Sequence, residues 1–449
     1  MLTAMLGACE GTEWCALPEV TPTVRAGEGG NVLVVVLDDI GIDQLSAWEV
    51  GSEVAQTPTI DCLCERGVRF TDAWASPLCS PARAAMLSGQ YPHRYGINRF
   101  LHAQNSPLEL PLEVETFGEV AQSAGYATGF AGKWHVSTYV SPSGLDHPNL
   151  QGFDWYGGAI SNLEHGVDRD PDLDYNRWEK VTNGEARLVQ DYVTAVNVDD
   201  ALQLAQTLPE PWLIVLSFNA PHVPVHVPPR RILKADQPGP NASEGEQYRA
   251  MIQAIDIELN RLLTRMDAQV LADTSVVLFG DNGTPSHGVV APVPPERHKG
   301  SLYEGGVRVP LVVTGPHVAE RNVESDALVS LVDLLPTIAS IAGVAAPPDL
   351  DGRSLLPVLA DPSLEVHDTL YAHNEGPDGR IGHIARNRNF KLWRSHGGSE
   401  ALYRMQGVAE TLDEGEPLER ADWGKAEETA YFRLRAVIDE AEQVLQDLP

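Results

Sequence analysis

Asn31-Val32-Leu33-Val34-Val35-Val36-Leu37-Asp38-Asp39 is the stretch that decides the architecture. From Val32 to Leu37 every residue is Val or Leu. A strand with no polar alternation has both faces covered, as in a parallel sheet packed between layers of helix. Runs of the same kind recur at Trp212–Phe218, Ser275–Phe279 and Val309–Thr314. Between them lie helix-like segments, Gln247–Ala268 and Ala327–Ala342. This alternation predicts a wound α/β fold, a large mixed and mostly parallel sheet sandwiched by helices. A Pro- and Asp-rich stretch from Pro347 to Pro362 reads as a passage between subdomains. Beyond it, strand-like pieces at Thr369–His373 and Phe390–Trp393 precede an amphipathic helix, Lys425–Asp447. These predict a smaller C-terminal α+β subdomain. The expected division is an N-terminal arm over 1–30, a catalytic α/β domain over 31–362 and the small subdomain over 363–449.

Composition narrows the function. The chain has 449 residues, with 32 Lys+Arg against 63 Asp+Glu, a formal net charge of −31. Such a surface repels phosphate backbones and anionic headgroups, so binding of nucleic acid through a basic face is excluded. A hydrophobic content of 43% supplies a full core and sets the chain apart from disordered acidic proteins. The five cysteines (Cys9, Cys15, Cys62, Cys64 and Cys79) all fall in the first 79 residues, too few for a disulfide scaffold. No apolar run approaches the ~20 residues that span a bilayer. Near the start, Leu6-Gly7-Ala8-Cys9 resembles the lipobox of bacterial lipoproteins, which makes Cys9 a candidate lipid anchor. The apolar stretch before it is shorter than a signal h-region. Pro18, Pro22, Gly27, Gly29 and Gly30 mark the following segment as a linker.

Chemistry gathers where the buried-type strands end. Asp38-Asp39 directly follows the first strand, and Asp281-Asn282 directly follows the run ending at Phe279. In open α/β sheets, ligands bind beyond the carboxyl ends of the strands. Three carboxylates and an amide there make an all-oxygen site suited to a hard cation, Ca²⁺ or Mg²⁺. Each pair alone reads more readily as turn residues; their shared position at the ends of buried-type strands shifts the reading toward ligation. A third motif is Cys79-Ser80-Pro81-Ala82-Arg83. Pro81 suits the first turn of a helix, which sets Cys79 near a helix N-terminus with Arg83 one turn on. That placement stabilises an anion, so Cys79 reads either as a thiolate nucleophile or, more simply, as a buried small hydrophobe before a helix.

Cys79-x-Pro81-x-Arg83 followed by Leu87-Ser88-Gly89 resembles the sulfatase signature. Further segments match that family in order: Asn31–Asp39, Thr57-Pro58-Thr59-Ile60-Asp61, Gly67-Val68-Arg69-Phe70 and Gly132-Lys133-Trp134-His135. Then come Ala220-Pro221-His222-Val223-Pro224, Gly280-Asp281-Asn282-Gly283, Lys299 with Tyr303–Pro310, and Asp351-Gly352-Arg353-Ser354-Leu355. The resemblance runs from about residue 31 to 405 and implies an alkaline phosphatase-like fold. Departures are Ala82 and Ser88, where many sulfatases have Ser and Thr, and Val136-Ser137-Thr138 after His135.

The resemblance implies a mechanism. Cys79 is converted to formylglycine by a formylglycine-generating enzyme, and its hydrate attacks a sulfate ester. Asp38, Asp39, Asp281 and Asn282, together with the modified Cys79, hold a divalent metal, Ca²⁺ ahead of Mg²⁺. Arg83 and Lys133 grip the diol and the sulfate, and His135 serves as base for the second step. His222 and Lys299 contact the sulfate, and either qualifies as the acid for the leaving oxygen. The family also implies export, with the protein periplasmic, lipid-anchored or secreted. Two rival readings share the scaffold: a phosphonate monoester or phosphodiester hydrolase, and a non-catalytic binding protein. Presence of every expected residue argues against the second. Long, heavily sulfated polymers are poor candidate substrates, because an acidic shell repels them. Cys62 and Cys64 read as structural, His298 as surface ahead of a pocket-lining alternative beside Lys299, and Trp393, Leu402 and Tyr403 as packing. His287, His317 and His383 belong to no recognised motif.

Overall fold

The computed structural model describes residues 17–18, 20–21, 23, 29–163, 172–233, 238–239, 241–289, 293–376 and 378–448. The Cys9 lipid-anchor reading and most of the proposed arm lie outside them.

The strands are β1 (Asn31–Leu37), β2 (Gly67–Phe70), β3 (Ala73–Trp74), β4 (Ala127–Gly132), β5 (Trp155–Gly158), β6 (Trp178–Thr182), β7 (Glu185–Val189) and β8 (Trp212–Ser217). They continue with β9 (Thr274–Gly280), β10 (Leu311–Thr314), β11 (Val323–Ser325), β12 (Val329–Ser330), β13 (Leu370–Glu375), β14 (Ile381–Arg386), β15 (Phe390–Arg394) and β16 (Glu400–Arg404). Ten of them form one sheet in the order β11-β2-β10-β9-β1-β8-β4-β5-β6-β7. The middle of that sheet, β9-β1-β8-β4-β5, is parallel throughout. The antiparallel members lie to either side, and β10 pairs antiparallel with both β9 and β2. The mixed, mostly parallel sheet expected from the Val- and Leu-rich runs is therefore present.

β1 shows why its sequence lacks alternation. Leu33, Val35 and Leu37 enter one core with the helices Val193–Thr207 and Glu244–Arg265. Val32, Val34 and Val36 enter the other core, with the helices Cys79–Ser88, Phe117–Ser123 and Leu334–Ile341. Successive side chains point to opposite faces, so both sets must be apolar.

Two helix boundaries differ from the sequence reading. The long helix begins at Glu244, because Ser243 and Glu246 form a reciprocal capping box. The segment expected as a helix from Ala327 to Ala342 is helical only over Leu334–Ile341. Its first part is β12, paired in parallel with β3, and a single 3₁₀ turn over Leu331–Asp333. Ser330 caps that turn with Asp333, so the chain enters the helix late.

β13–β16 form a separate four-stranded antiparallel sheet. The helix Lys425–Gln446 lays Ala430, Tyr431, Leu434 and Ile438 on Phe390, Leu392 and Leu402 of that sheet. Trp393 packs beside Leu302 and Val307 from the large unit. The seam also holds three buried histidines, His93, His373 and His383. The rings of His93 and His373 meet edge to face at 5.4 Å, and Tyr371 links to both His93 and His383.

Burial keeps these histidines neutral. It brings His93 down to about 4 and His383 to about 3, and holds His373 well below its ordinary value. Asp351 opposes the effect at His93, while Arg94 adds to it; Arg394 and His396 add to it at His383. In the unfolded chain each takes a proton near pH 6.5. The folded form therefore binds fewer protons, and its stability from this seam is full above pH 6.5 and declines as pH falls toward 4 and 3. Thermal unfolding from pH 7 to pH 5 should show a falling midpoint, with a shallower fall in His93→Phe. Equal slopes in the two proteins would contradict this account of the seam.

Candidate active site

The carboxyl ends of β1, β4, β8 and β9 converge. Asp38 and Asp39 leave β1, Lys133 and His135 leave β4, Asn219 and His222 follow β8, and Asp281 and Asn282 follow β9. Cys79 opens the helix Cys79–Ser88, with Pro81 in its first turn. Ligand atoms of Asp38, Asp39, Cys79 and Asp281 all lie within 4.8 Å of one another, and all four residues are buried.

The ends of β4 and β8 are bolted together. Gly132 has a φ of +116°, and a Cβ there would sit 1.7 Å from the Ser217 carbonyl oxygen. Only glycine fits this close approach. The Lys133 N–H donates to that same carbonyl at 2.9 Å. Arg83 then donates to the Lys133 carbonyl and to Ser217 Oγ, both at 2.7 Å. This aims the Lys133 side chain at Asp38, where Nζ lies 2.6 Å from Oδ2.

Charge compensation is nearly complete. Arg83 pairs with Asp281 Oδ2, its Nη2 at 2.9 Å, and lies 3.5 Å from Asp38 Oδ1. Lys299 Nζ donates to Asp39 Oδ1 and approaches Cys79 Sγ at 3.6 Å. Asn282 Nδ2 donates to Asp39 Oδ1 at 2.9 Å, and the Asp39 N–H donates to Asp281 Oδ1 at 3.0 Å. Burial pushes the Asp39 carboxyl up, but Lys299, His222 and Lys133 outweigh it and hold the group well below the usual carboxylate range. Asp281 goes the other way: burial and the neighbouring Asp38 raise it to about 7.

Of the two readings of Cys79, the structure supports the buried one over the thiolate. Burial, with Asp281 and Asp38 adding to it, pushes the thiol far up, and Lys133 and Lys299 only partly oppose the shift. A helix N-terminus helps an anion, but complete burial beside carboxylates costs more. Cys79 is a neutral thiol here.

His135 is fully buried with a φ of 63°, its Nε2 at 3.2 Å from the Leu101 carbonyl. Its Nδ1 has no hydrogen-bond partner among the described residues. Burial holds it neutral, and the Lys133 and Arg83 cations reinforce that. His222 is only partly buried and lies between two cis X–Pro bonds, its Nδ1 2.9 Å from the Val223 carbonyl. It sits close enough to lower the carboxyl of Asp39. All of Cys79, Arg83, Lys133, His135, His222 and Lys299 thus gather around the four metal-candidate residues.

Two atoms bear on a cation. Asp38 Oδ1 and Asn282 Oδ1 are buried and make no hydrogen bond among the described residues. Orphaned oxygens of this kind, beside two further carboxylates, fit a hard divalent ion. His298 is a correction: it is buried, 2% exposed, against Gly305, and is no surface residue. Sequence reading also passed over Ser217, visible only as a strand terminus, and Tyr248, which reads as an ordinary helix core residue. Tyr248 Oη donates to the Asp39 carbonyl at 2.6 Å.

Removing a buried partner strands the others. Arg83→Met leaves Asp281 and Asp38 without their guanidinium, which should cost about 3–5 kcal/mol of stability. Thermal unfolding of metal-stripped protein should show a clear drop, whereas Cys79→Ser should stay close to wild type. An unchanged midpoint in Arg83→Met would refute the compensation described.

A family model described as Sulfatase matches residues 30–344, and one described as N-sulphoglucosamine sulphohydrolase, C-terminal, matches residues 297–392. The chain is 29% identical over 422 residues to arylsulfatase G of Rattus norvegicus, covering 83% of this chain and 77% of that protein. It is 30% identical over 373 residues to N-acetylgalactosamine-6-sulfatase of Canis lupus familiaris, covering 76% and 68%. Among solved structures, Ps i-CgsB in complex with k-i-k-neocarrahexaose matches with a TM-score of 0.79 at 24% identity, covering 92% of this chain and 93% of that one. The PsFucS1 sulfatase from Pseudoalteromonas sp. matches with a TM-score of 0.74 at 21% identity, covering 94% and 92%. A family match over most of the chain, joined to this gathering of residues at the strand ends, makes the protein a member of the sulfatase family of sulfuric ester hydrolases, in the alkaline phosphatase superfamily.

Proposed function

We propose that the protein hydrolyses a sulfate ester to an alcohol or phenol and sulfate, through a formylglycine derived from Cys79 and with a divalent cation, Ca²⁺ ahead of Mg²⁺. The observation that carries this reading is the packing of Cys79 Sγ within 4.8 Å of three carboxylates, with Lys299 Nζ 3.6 Å away. A neutral, buried thiol is a poor nucleophile, so the position calls for conversion to a better one. A hydrated formylglycine at this position would supply a hydroxyl nucleophile for sulfur and a second hydroxyl whose deprotonation would let sulfate leave. Asp38, Asp39, Asp281 and Asn282 would hold the cation, which would supply Lewis-acid polarisation.

The chain's own residues do the rest. Arg83 and Lys133 offer charge-assisted donors to the sulfate and the diol. Both are tied to carboxylates in the structure, so they arrive already oriented. His135 is neutral and has an open Nδ1, which suits a base that takes the proton of the second hydroxyl. His222 and Lys299 both lie close enough to Asp39 to lower its carboxyl, and one of them would donate the proton to the leaving oxygen. Both are only partly buried, which suits exchange with solvent. A phosphonate or phosphodiester hydrolase would use the same clamp.

Export is part of the same proposal. Cys62 is disulfide-bonded, whereas Cys64 and Cys79 are free thiols. Disulfides persist in oxidising compartments. Among the described residues no helix is long and apolar enough to cross a membrane. Maturation would need a formylglycine-generating enzyme as partner.

Parallel kinetics on an aryl sulfate and an aryl phosphonate monoester test the reaction class. The sulfate should win in kcat/KM, Cys79→Ala should lose activity at least a thousandfold (on the order of what removing a nucleophile costs), and EDTA should suppress turnover until Ca²⁺ is restored. A faster phosphonate reaction, or an active Cys79→Ala, would overturn the proposal.

A further inference from the structure

Tyr248 stands apart from every motif discussed, yet it touches both halves of the acidic cluster. It projects from the helix Glu244–Arg265 and is fully buried. Its hydroxyl donates to the carbonyl oxygen of Asp39 at 2.6 Å. Asp39 has a φ of 63°, in the left-handed region. That conformation is unfavourable for a non-glycine residue, so the surroundings must hold it. The Asp39 N–H is held by Asp281, and its carboxylate by Asn282 and Lys299. Tyr248 supplies the hold on the remaining polar group.

The ring is fixed in turn by the loop that follows Asp281-Asn282-Gly283. A Cβ on Gly288 would sit 2.6 Å from the Tyr248 ring, so that backbone lies directly on it. His287 meets the ring edge-on at 5.5 Å between centroids. One tyrosine therefore bonds to the Asp38-Asp39 segment and packs against the segment that carries Asp281 and Asn282.

We infer that Tyr248 is a positioning residue that sets the Asp39 carboxylate relative to Asp281 and thereby governs cation affinity. This rests on the proposed cation site. Tyr248→Phe removes the hydroxyl and keeps the ring. Groups that orient metal ligands from behind typically change affinity by roughly 10–100-fold. Calorimetric titration of EDTA-stripped protein with Ca²⁺ should give a Kd at least about tenfold weaker in Tyr248→Phe. With saturating aryl sulfate, kcat should fall at fixed Ca²⁺ and recover as Ca²⁺ is raised, while KM stays within twofold (an allowance of about 0.4 kcal/mol). The unfolding midpoint of the stripped protein should be nearly unchanged. Gly288→Ala displaces the ring without removing the hydroxyl and should weaken Ca²⁺ in the same direction. If the wild type itself takes up no Ca²⁺, the proposed cation site fails. If the wild type binds and both variants bind equally well, the cation site survives and the role of Tyr248 is refuted. If both variants unfold, Tyr248 is structural and the inference is likewise refuted.

Discussion

Three carboxylates buried at the ends of two parallel strands are the constraint on which this fold turns. Asp38, Asp39 and Asp281 would each be prohibitively costly if unpaired in the interior. The chain answers with Arg83, Lys133 and Lys299, each delivered from a different segment. That requirement ties the N-terminus of the Cys79–Ser88 helix to β1, β4 and β9. It also explains why glycine must stand at 132, where β4 has to touch β8 closely enough to aim Lys133. Local charge is balanced one for one, yet Asp38 Oδ1 and Asn282 Oδ1 stay unsatisfied. The cluster is thus neutral in its pairs and still holds open oxygens, a state that favours taking up a cation together with an anionic substrate.

Much of this was legible in the chain. Val32 to Leu37 announces a strand buried on both faces, and β1 spans the residues expected. The acidic pairs were legible because each follows such a strand directly. Other features were hidden for physical reasons. The neutral thiol at Cys79 reflects burial and carboxylates brought from distant segments, and a local helix-terminus argument does not contain them. The late helix start at Leu334 depends on pairing between β12 and β3, a contact across more than two hundred residues. Tyr248 looks like any apolar helix position until the Asp39 carbonyl is set in front of it. His298 is named surface by its charged neighbours, but the backbone of Gly305 closes over it.

The overall charge of −31 takes on a local meaning. An acidic exterior surrounds a site whose cations are almost all committed to buried carboxylates. Under the proposed mechanism an anionic substrate would be held by short-range contacts with Arg83, Lys133, Lys299 and a bound cation, rather than drawn in by a long-range positive field. The seam with the small antiparallel sheet adds a separate sensitivity, since its three histidines are held neutral mainly by burial, with neighbouring cationic groups adding to it.

The account depends most on the chemical state of residue 79. Mass spectrometry of the peptide containing Cys79, from protein made in a host with the maturing enzyme, tests it directly. The account predicts a mass in which the thiol-bearing CH₂SH has become an aldehyde CHO, trapped by a hydrazide probe. An intact thiol in protein that still hydrolyses sulfate esters would contradict it.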